Sequence, residues 1–211
     1  MKILVLGSKG QLGCCLTDQL RDTDFEVIYT SRSEIDMADL AQTKLSITEL
    51  NPSIVINATA YTAVDKAEND YREAAKINHC AVANVAKICR EIDCWLIHIS
   101  SDYVFDGAAC LPYGENSKTN PQSVYGDSKL KGELAIQASG CRYLIIRTAW
   151  VYSEYGNNFL KTMLRLGADR VELNIVGDQI GCPTYAQDIA KSIVAILPFL
   201  DLEGSSLGIY H

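Results

Sequence analysis

No apolar run in this 211-residue chain reaches the roughly 18–20 residues that a helix needs to cross a bilayer. A membrane-spanning helix is therefore excluded. Positive charge is scarce as well: 19 Lys and Arg stand against 26 Asp and Glu, a formal net charge of −7. With no basic stripe to offset that balance, general nucleic-acid binding is excluded too. The chain lacks any Cys-x-x-Cys pair, although it holds Cys14, Cys15, Cys80, Cys89, Cys94, Cys110, Cys141 and Cys182. Zinc-ligand spacing is missing among them, so neither a metal site nor a disulfide framework is expected. Most lie in apolar stretches such as "VAKICREIDCWLIHI", where a free cysteine behaves as a small hydrophobe. Reduced thiols, and a start "MKILVLG" that reads as a strand and not a signal peptide, point to the cytoplasm. Proline is rare (5 residues), and there is no repeat, low-complexity tract or Pro/Gly-rich linker. Composition marks no domain boundary.

What the chain does contain is a regular alternation of short apolar runs with amphipathic segments. "KILVL" precedes a helix through "GQLGCCLTDQL", and "EVIYT" one through "LAQTKLSITEL". "SIVINA" leads to the long segment "DYREAAKINHCAVANVAKICREI", in which Ala75, Val82, Val85 and Ala86 fall near helical spacing. "WLIHIS" and "YLIIRTAW" follow as further strands, each with a helix after it. Near-continuous Val/Ile/Leu strands separated by helices predict an α/β fold, a doubly wound parallel sheet with helices on both faces.

Directly after the first strand stands Gly7-Ser8-Lys9-Gly10-Gln11-Leu12-Gly13. Glycines at such a strand–turn–helix junction let the backbone approach a pyrophosphate, and the helix N-terminus offers it free N–H groups. No Gly-Lys-Ser/Thr closes the loop, so it is not a Walker A sequence. The second strand runs into Tyr29-Thr30-Ser31-Arg32, where an NAD site would place an acidic residue for the ribose hydroxyls. Ser31 and Arg32, with Lys9, suit a 2′-phosphate instead. The expected cofactor is NADPH, with NADH as the alternative.

Further on, "SVYGDSK" places Tyr125 and Lys129 one helical turn apart on one face. A free phenol has a pKa of about 10, and lowering it by about three units takes roughly 4 kcal/mol. A lysine ammonium and a cofactor cation in a closed site supply that order of stabilisation, which makes the pair a candidate proton-transfer device. By itself the pair is common, and a solvated helix face explains it equally well. "NATAYTAVDKAE", "ISSDYVFDG" and "RTAWVY" follow the third, fourth and fifth strands, at the carboxyl ends where doubly wound sheets bind ligands.

Taken together with "VYGDSKLKGE", "GNNFLKTML" and "VGDQIGCPTYAQDIA", these strings resemble the dTDP-4-dehydrorhamnose reductase family of the extended short-chain dehydrogenase/reductase superfamily. The resemblance spans the chain and keeps the family's motif order. It implies a Rossmann-like NADP-binding domain over residues 1–150, which includes the catalytic Tyr/Lys, and a partial substrate lobe over 151–211 interleaved with it. By the same resemblance, Ser101 bonds the substrate's 4-keto oxygen, Tyr125 donates the proton, and Lys129 holds the nicotinamide ribose and lowers the tyrosine pKa. Asp36 and Met37 flank the adenine, while Ala58, Thr59 and Ala60 run along the cofactor. Thr62, Val64, Asp102, Tyr103 and Trp150 line the sugar pocket, although Trp150 equally suits core packing. Asn158 and Gln179 are substrate contacts or polar packing, Ser100 is structural, His98 is a core histidine and His79 carries no chemistry.

The implied reaction is NADPH-dependent reduction of dTDP-4-dehydro-L-rhamnose, in a monomer or homodimer. The same residues serve a related nucleotide-deoxysugar reductase or epimerase, or an idle NADP-binding regulatory subunit. Two departures stand out. The family normally continues beyond a string like "GIYH", so an incomplete substrate lobe is expected. Some members dimerise around a magnesium ion held by glutamates, one shortly after the glycine loop. Cys15 stands there instead, a poor ligand for a hard cation, and no such bridge is expected.

Overall fold

The computed structural model describes residues 1–200 and 208–211. Its main sheet is six-stranded and wholly parallel, built from β1 (Lys2–Leu6), β2 (Glu26–Thr30), β3 (Ile54–Asn57), β4 (Trp95–Ser101), β5 (Arg142–Thr148) and β8 (Gly208–Tyr210). The strands lie in the order β2-β1-β3-β4-β5-β8, so the chain reverses its direction of travel between β1 and β3. In doubly wound sheets that switch point opens a crevice at the carboxyl edge, and the site lies there. The register runs Leu6 opposite Asn57 and Asn57 opposite His98, which lines up the strand ends that carry the candidate motifs.

The central strands are apolar on both sides because helices cover both faces. Ile3 and Val5 pack with Ile54, Ile56 and Ile97 on one face, against α1 (Gln11–Leu20) and α8 (Ala186–Ile196). Leu4 and Leu6 pack with Val55, Leu96 and Ile145 on the other, against α2 (Leu40–Leu50), α5 (Val82–Glu91) and α6 (Val124–Ser139). Each such side chain contributes on the order of 1.5–3 kcal/mol through its burial.

The chain after Trp150 returns to this body through α8 on α1 and through β8 at the sheet edge beside β5. Between these lie β6 (Val151–Tyr152), which pairs with β7 (Thr184–Tyr185), and α7 (Phe159–Asp169), which buries none of its residues. All eight cysteines are free. Among the described residues no helix is long and apolar enough to cross a membrane.

The long segment predicted after β3 is helical but not uniform. Short helices α3 (Val64–Ala67) and α4 (Tyr71–Ala75) come first, then a π turn over Lys76–Ala81, then α5. The π turn admits one extra residue per turn and swings Asn78 inward, where it is buried. Its amide accepts from Tyr61 N (2.9 Å) and donates to Tyr61 O (3.0 Å) and Ser128 Oγ (3.0 Å). Ser128 in turn donates to Tyr125 O at 2.7 Å, so Asn78 ties the loop after β3 to α6. Gly132 makes that approach possible, since a Cβ there would lie 2.3 Å from Asn78 O.

Candidate active site

α6 starts where the Ser123 side chain accepts from Gly126 N (3.0 Å) and stops at Gly140, whose φ is +70°. That cap places Tyr125 in the first turn and Lys129 one turn further, on the face turned to β4. Both are buried, Lys129 with only 1% of its surface exposed. The Lys129 ammonium donates to Ile99 O at 2.7 Å, and its Nζ lies 3.4 Å from His98 Nε2. Burial pushes Lys129 down to about 8, with Glu133, one turn along the helix, pulling the other way.

Tyr125 stands high in the ligand-free chain. Burial pushes its phenol up to about 12, Ser101 pulls it back in part, and Asp102 adds to the rise. The Lys129 amine is turned to the Ile99 carbonyl. In this state the pair is a protonated acid beside a readily neutralised amine. Tyr103 packs edge-on against Tyr125, with centroids 5.5 Å apart, and closes one side of the phenol.

Ser101 ends β4 and its hydroxyl donates to Asp102 Oδ1 (3.0 Å) while accepting from Tyr103 N (3.2 Å). Burial raises the Asp102 carboxyl above its ordinary value. Thr62, Val64, Ser101, Asp102, Tyr103, Tyr125, Lys129 and Trp150 all line one cleft of about 1470 Å³, together with Gly10, Gln11, Leu12, Ala58, Thr59 and Ala60. Trp150 is not core: it is 42% exposed, adopts φ +47°, and leans on Gly181 and Phe159. Gln179 lines the cleft, whereas Asn158 is used to cap α7 and to donate to Gln11 Oε1 at 2.9 Å.

At the other end of the cleft the glycine turn fits a pyrophosphate. Gly7 has φ +83°, and a Cβ on Gly13 would sit 2.2 Å from Gly7 O, so only glycine lets α1 begin this close to β1. α1 has no side-chain cap at Gly10, and its first N–H groups remain open to the cleft. Lys9, Ser31, Arg32, Asp36 and Met37 lie outside the cleft walls just described. Met37 is buried under Thr59, while Asp36 accepts from Ala38 N (3.0 Å) and pairs with Arg32 at 3.4 Å.

Ser31 is already engaged by a neighbouring carboxylate. Its N–H and hydroxyl both donate to Glu34 Oε2 at 2.8 Å, and these bonds hold the Glu34 carboxyl below its ordinary value. Sequence reading missed Glu34 because it sits three residues beyond the usual acidic position and reaches back through a turn. Also missed were Phe159, Leu160 and Met163 of α7 and Ile175 and Val176 beyond it, which wall the outer cleft. The apolar stripe of α7 was their signal. Cys15 of α1 is fully buried in the core that α8 shares, its thiol pushed up to about 11 by burial.

A family model described as the RmlD substrate binding domain matches residues 1–211. The chain is 43% identical to the dTDP-4-dehydrorhamnose reductase of Sinorhizobium fredii over 214 residues, covering all of this chain and 72% of that protein. The Escherichia coli K12 reductase is 38% identical over the same share of each. The chain belongs to the dTDP-4-dehydrorhamnose reductase family. A crystal structure of a reductase from Clostridium acetobutylicum superposes with a TM-score of 0.94 at 40% identity, over all of this chain and 74% of that one. The Bacillus anthracis reductase, solved in complex with NADP, superposes at 0.93 with 36% identity, over all of this chain and 73% of that one. Membership in this reductase family agrees with the six-stranded parallel sheet and with one cleft lined by residues of the glycine turn and of the segments that follow β3, β4 and β5.

Proposed function

We propose that the protein reduces the 4-keto group of dTDP-4-dehydro-L-rhamnose with NADPH, giving dTDP-L-rhamnose. The observation that carries this reading is the convergence of Ser101, Tyr125 and Lys129 at one end of a cleft whose other end is an uncapped helix behind a glycine turn. In this reading the open N–H groups of α1 hold the pyrophosphate, and Lys9 and Arg32 face the 2′-phosphate in place of the occupied Ser31. Ala58, Thr59 and Ala60 lie along the cofactor, and Asp36 and Met37 border the adenine. NADPH, when bound, supplies the hydride that adds to C4 of the sugar.

The chain's own groups handle the proton. Tyr125, protonated at neutral pH, donates its phenolic proton to the carbonyl oxygen as negative charge builds there. Ser101 turns its hydroxyl from Asp102 to that same oxygen and stabilises it. Lys129 binds the ribose hydroxyls and offsets the phenolate left behind. Thr62, Val64, Asp102, Tyr103 and Trp150 surround the sugar, and the apolar wall of α7 and the 151–211 segment helps exclude water. A phenol held near 12 releases its proton only when positive charge is brought to it, so proton transfer waits for the loaded site.

Loss of NADPH absorbance with dTDP-4-dehydro-L-rhamnose tests the reading. Tyr125→Phe is expected to lower turnover by about 10²- to 10⁴-fold with little change in NADPH affinity. Equal rates in wild type and variant would overturn it.

A further inference from the structure

His98 is a buried imidazole that the ketone chemistry leaves unused. It is fully enclosed on β4, and each ring nitrogen faces one side chain. Nδ1 lies 3.2 Å from Asn57 Nδ2, and Nε2 lies 3.4 Å from Lys129 Nζ. The donor in the first contact is settled by Asn57's other bonds. Thr59 N–H can only donate, and it meets Asn57 Oδ1 at 3.0 Å, where the Thr59 hydroxyl also arrives at 2.6 Å. The Asn57 amide nitrogen is therefore the atom turned to His98, and Nδ1 must accept from it.

A neutral imidazole that accepts at Nδ1 carries its proton on Nε2. Burial and the nearby Lys129 charge both hold His98 well below its ordinary pKa, so the ring is neutral. Its Nε2–H points at the Lys129 amine. An ammonium has only donors, whereas a neutral amine offers a lone pair. The contact is thus bonded when Lys129 is neutral and opposed when it is charged.

We propose that His98 is a positioning residue for Lys129: locked by Asn57 with its proton on Nε2, it disfavours the ammonium and so sets how much positive charge Lys129 presents to the site. The catalytic part of this statement rests on the ketoreductase reading above. The Lys129 amine also meets the Ile99 carbonyl on β4 and feels the Glu133 carboxylate on α6. Glu133 favours the ammonium and is itself held by Arg147 of β5 at 2.7 Å. His98 and Glu133 therefore act on Lys129 in opposite directions, and the effect of each is measurable alone.

Nitrogen-15 NMR of the ligand-free protein tests the proposal without turnover. The chain has three histidines, so the His98 ring signals are assignable by their loss in His98→Leu. Wild type is expected to show the Nε2–H tautomer across neutral pH. The Lys129 Nζ midpoint, assigned by its loss in Lys129→Met, is expected to rise by about one unit in His98→Leu. His98→Gln, which restores an N–H donor near Nε2, is expected to bring it part of the way back, and the pH profile of kcat should follow the same order. The Nδ1–H tautomer, or a Lys129 midpoint unmoved in His98→Leu, would overturn the proposal. Absence of turnover in wild type, with the tautomer and the Lys129 shift both observed, would instead count against the ketoreductase reading alone.

Discussion

Lys129 is the residue at which function and stability pull apart. Its folded pKa of about 8 lies below the 10.5 of an exposed lysine, so the unfolded chain binds this proton more tightly. The charged form therefore costs stability at and below pH 8, and the cost fades as the pH rises from about 8 towards 10.5. Lys129→Met is expected to raise the free energy of unfolding at neutral pH by about 1–3 kcal/mol while removing activity. Urea unfolding at about pH 7 and about pH 9.5 checks the sign, because the advantage of Met must shrink at the higher pH. A constant advantage would show that packing, not charge burial, is responsible.

Arg32 and Glu34 set a second contrast at the residue scale. Arg32 is an exposed cation and Glu34 an anion engaged with Ser31, both at the end of β2. Arg32→Ala is expected to lower the NADPH-over-NADH preference about tenfold, the worth of one charge-assisted contact. Turnover measured with each cofactor checks this, and an unchanged ratio would remove Arg32 from the 2′-phosphate site.

Among the elements, α6 decides the geometry of the site. The spacing of Tyr125 and Lys129, one turn apart on one face, was readable in the sequence, whereas the Ser123 cap and the Gly140 stop that fix the ends of α6 came from the structure. Its depth in the molecule was not readable, since that depends on Gly132 meeting the backbone of the π turn. The π turn itself leaves no periodic signature: one extra residue in "KINHCA" is invisible to a helical repeat. Gly132→Ala is expected to destabilise the protein by about 1–3 kcal/mol, because the new Cβ meets a backbone oxygen at 2.3 Å and the helix must move. Thermal unfolding reads the loss, and a fall in kcat of the folded variant reads the displacement of Tyr125.

At the scale of the whole molecule, the buried Arg147–Glu133 ion pair joins β5, α6 and the loop that precedes α6. Arg147 of β5 meets Glu133 of α6 through two bonds, at 3.0 and 2.7 Å, and its guanidinium lies over Phe105 at 4.9 Å. A third bond reaches Glu115 O at 3.3 Å, so the loop between β4 and α6 is held by the same side chain. Glu133→Gln leaves a buried guanidinium without its anion and is expected to cost about 3–5 kcal/mol, as read by chemical denaturation. A loss below about 1 kcal/mol would show that water or Glu115 replaces the pair.

The sequence by itself determined the parallel sheet, the glycine turn and the Tyr/Lys helix, because strand runs, helical spacing and close-approach glycines act over a few neighbouring residues. Only the tertiary structure decided the electrostatics of the site. The high phenol of Tyr125, the lowered pKa of Lys129, the engagement of Ser31 by Glu34 and the Asn57–His98–Lys129 chain all depend on burial and on partners brought from other elements. Burial sets the cost of charge, and burial is a property of packing and not of the order of residues.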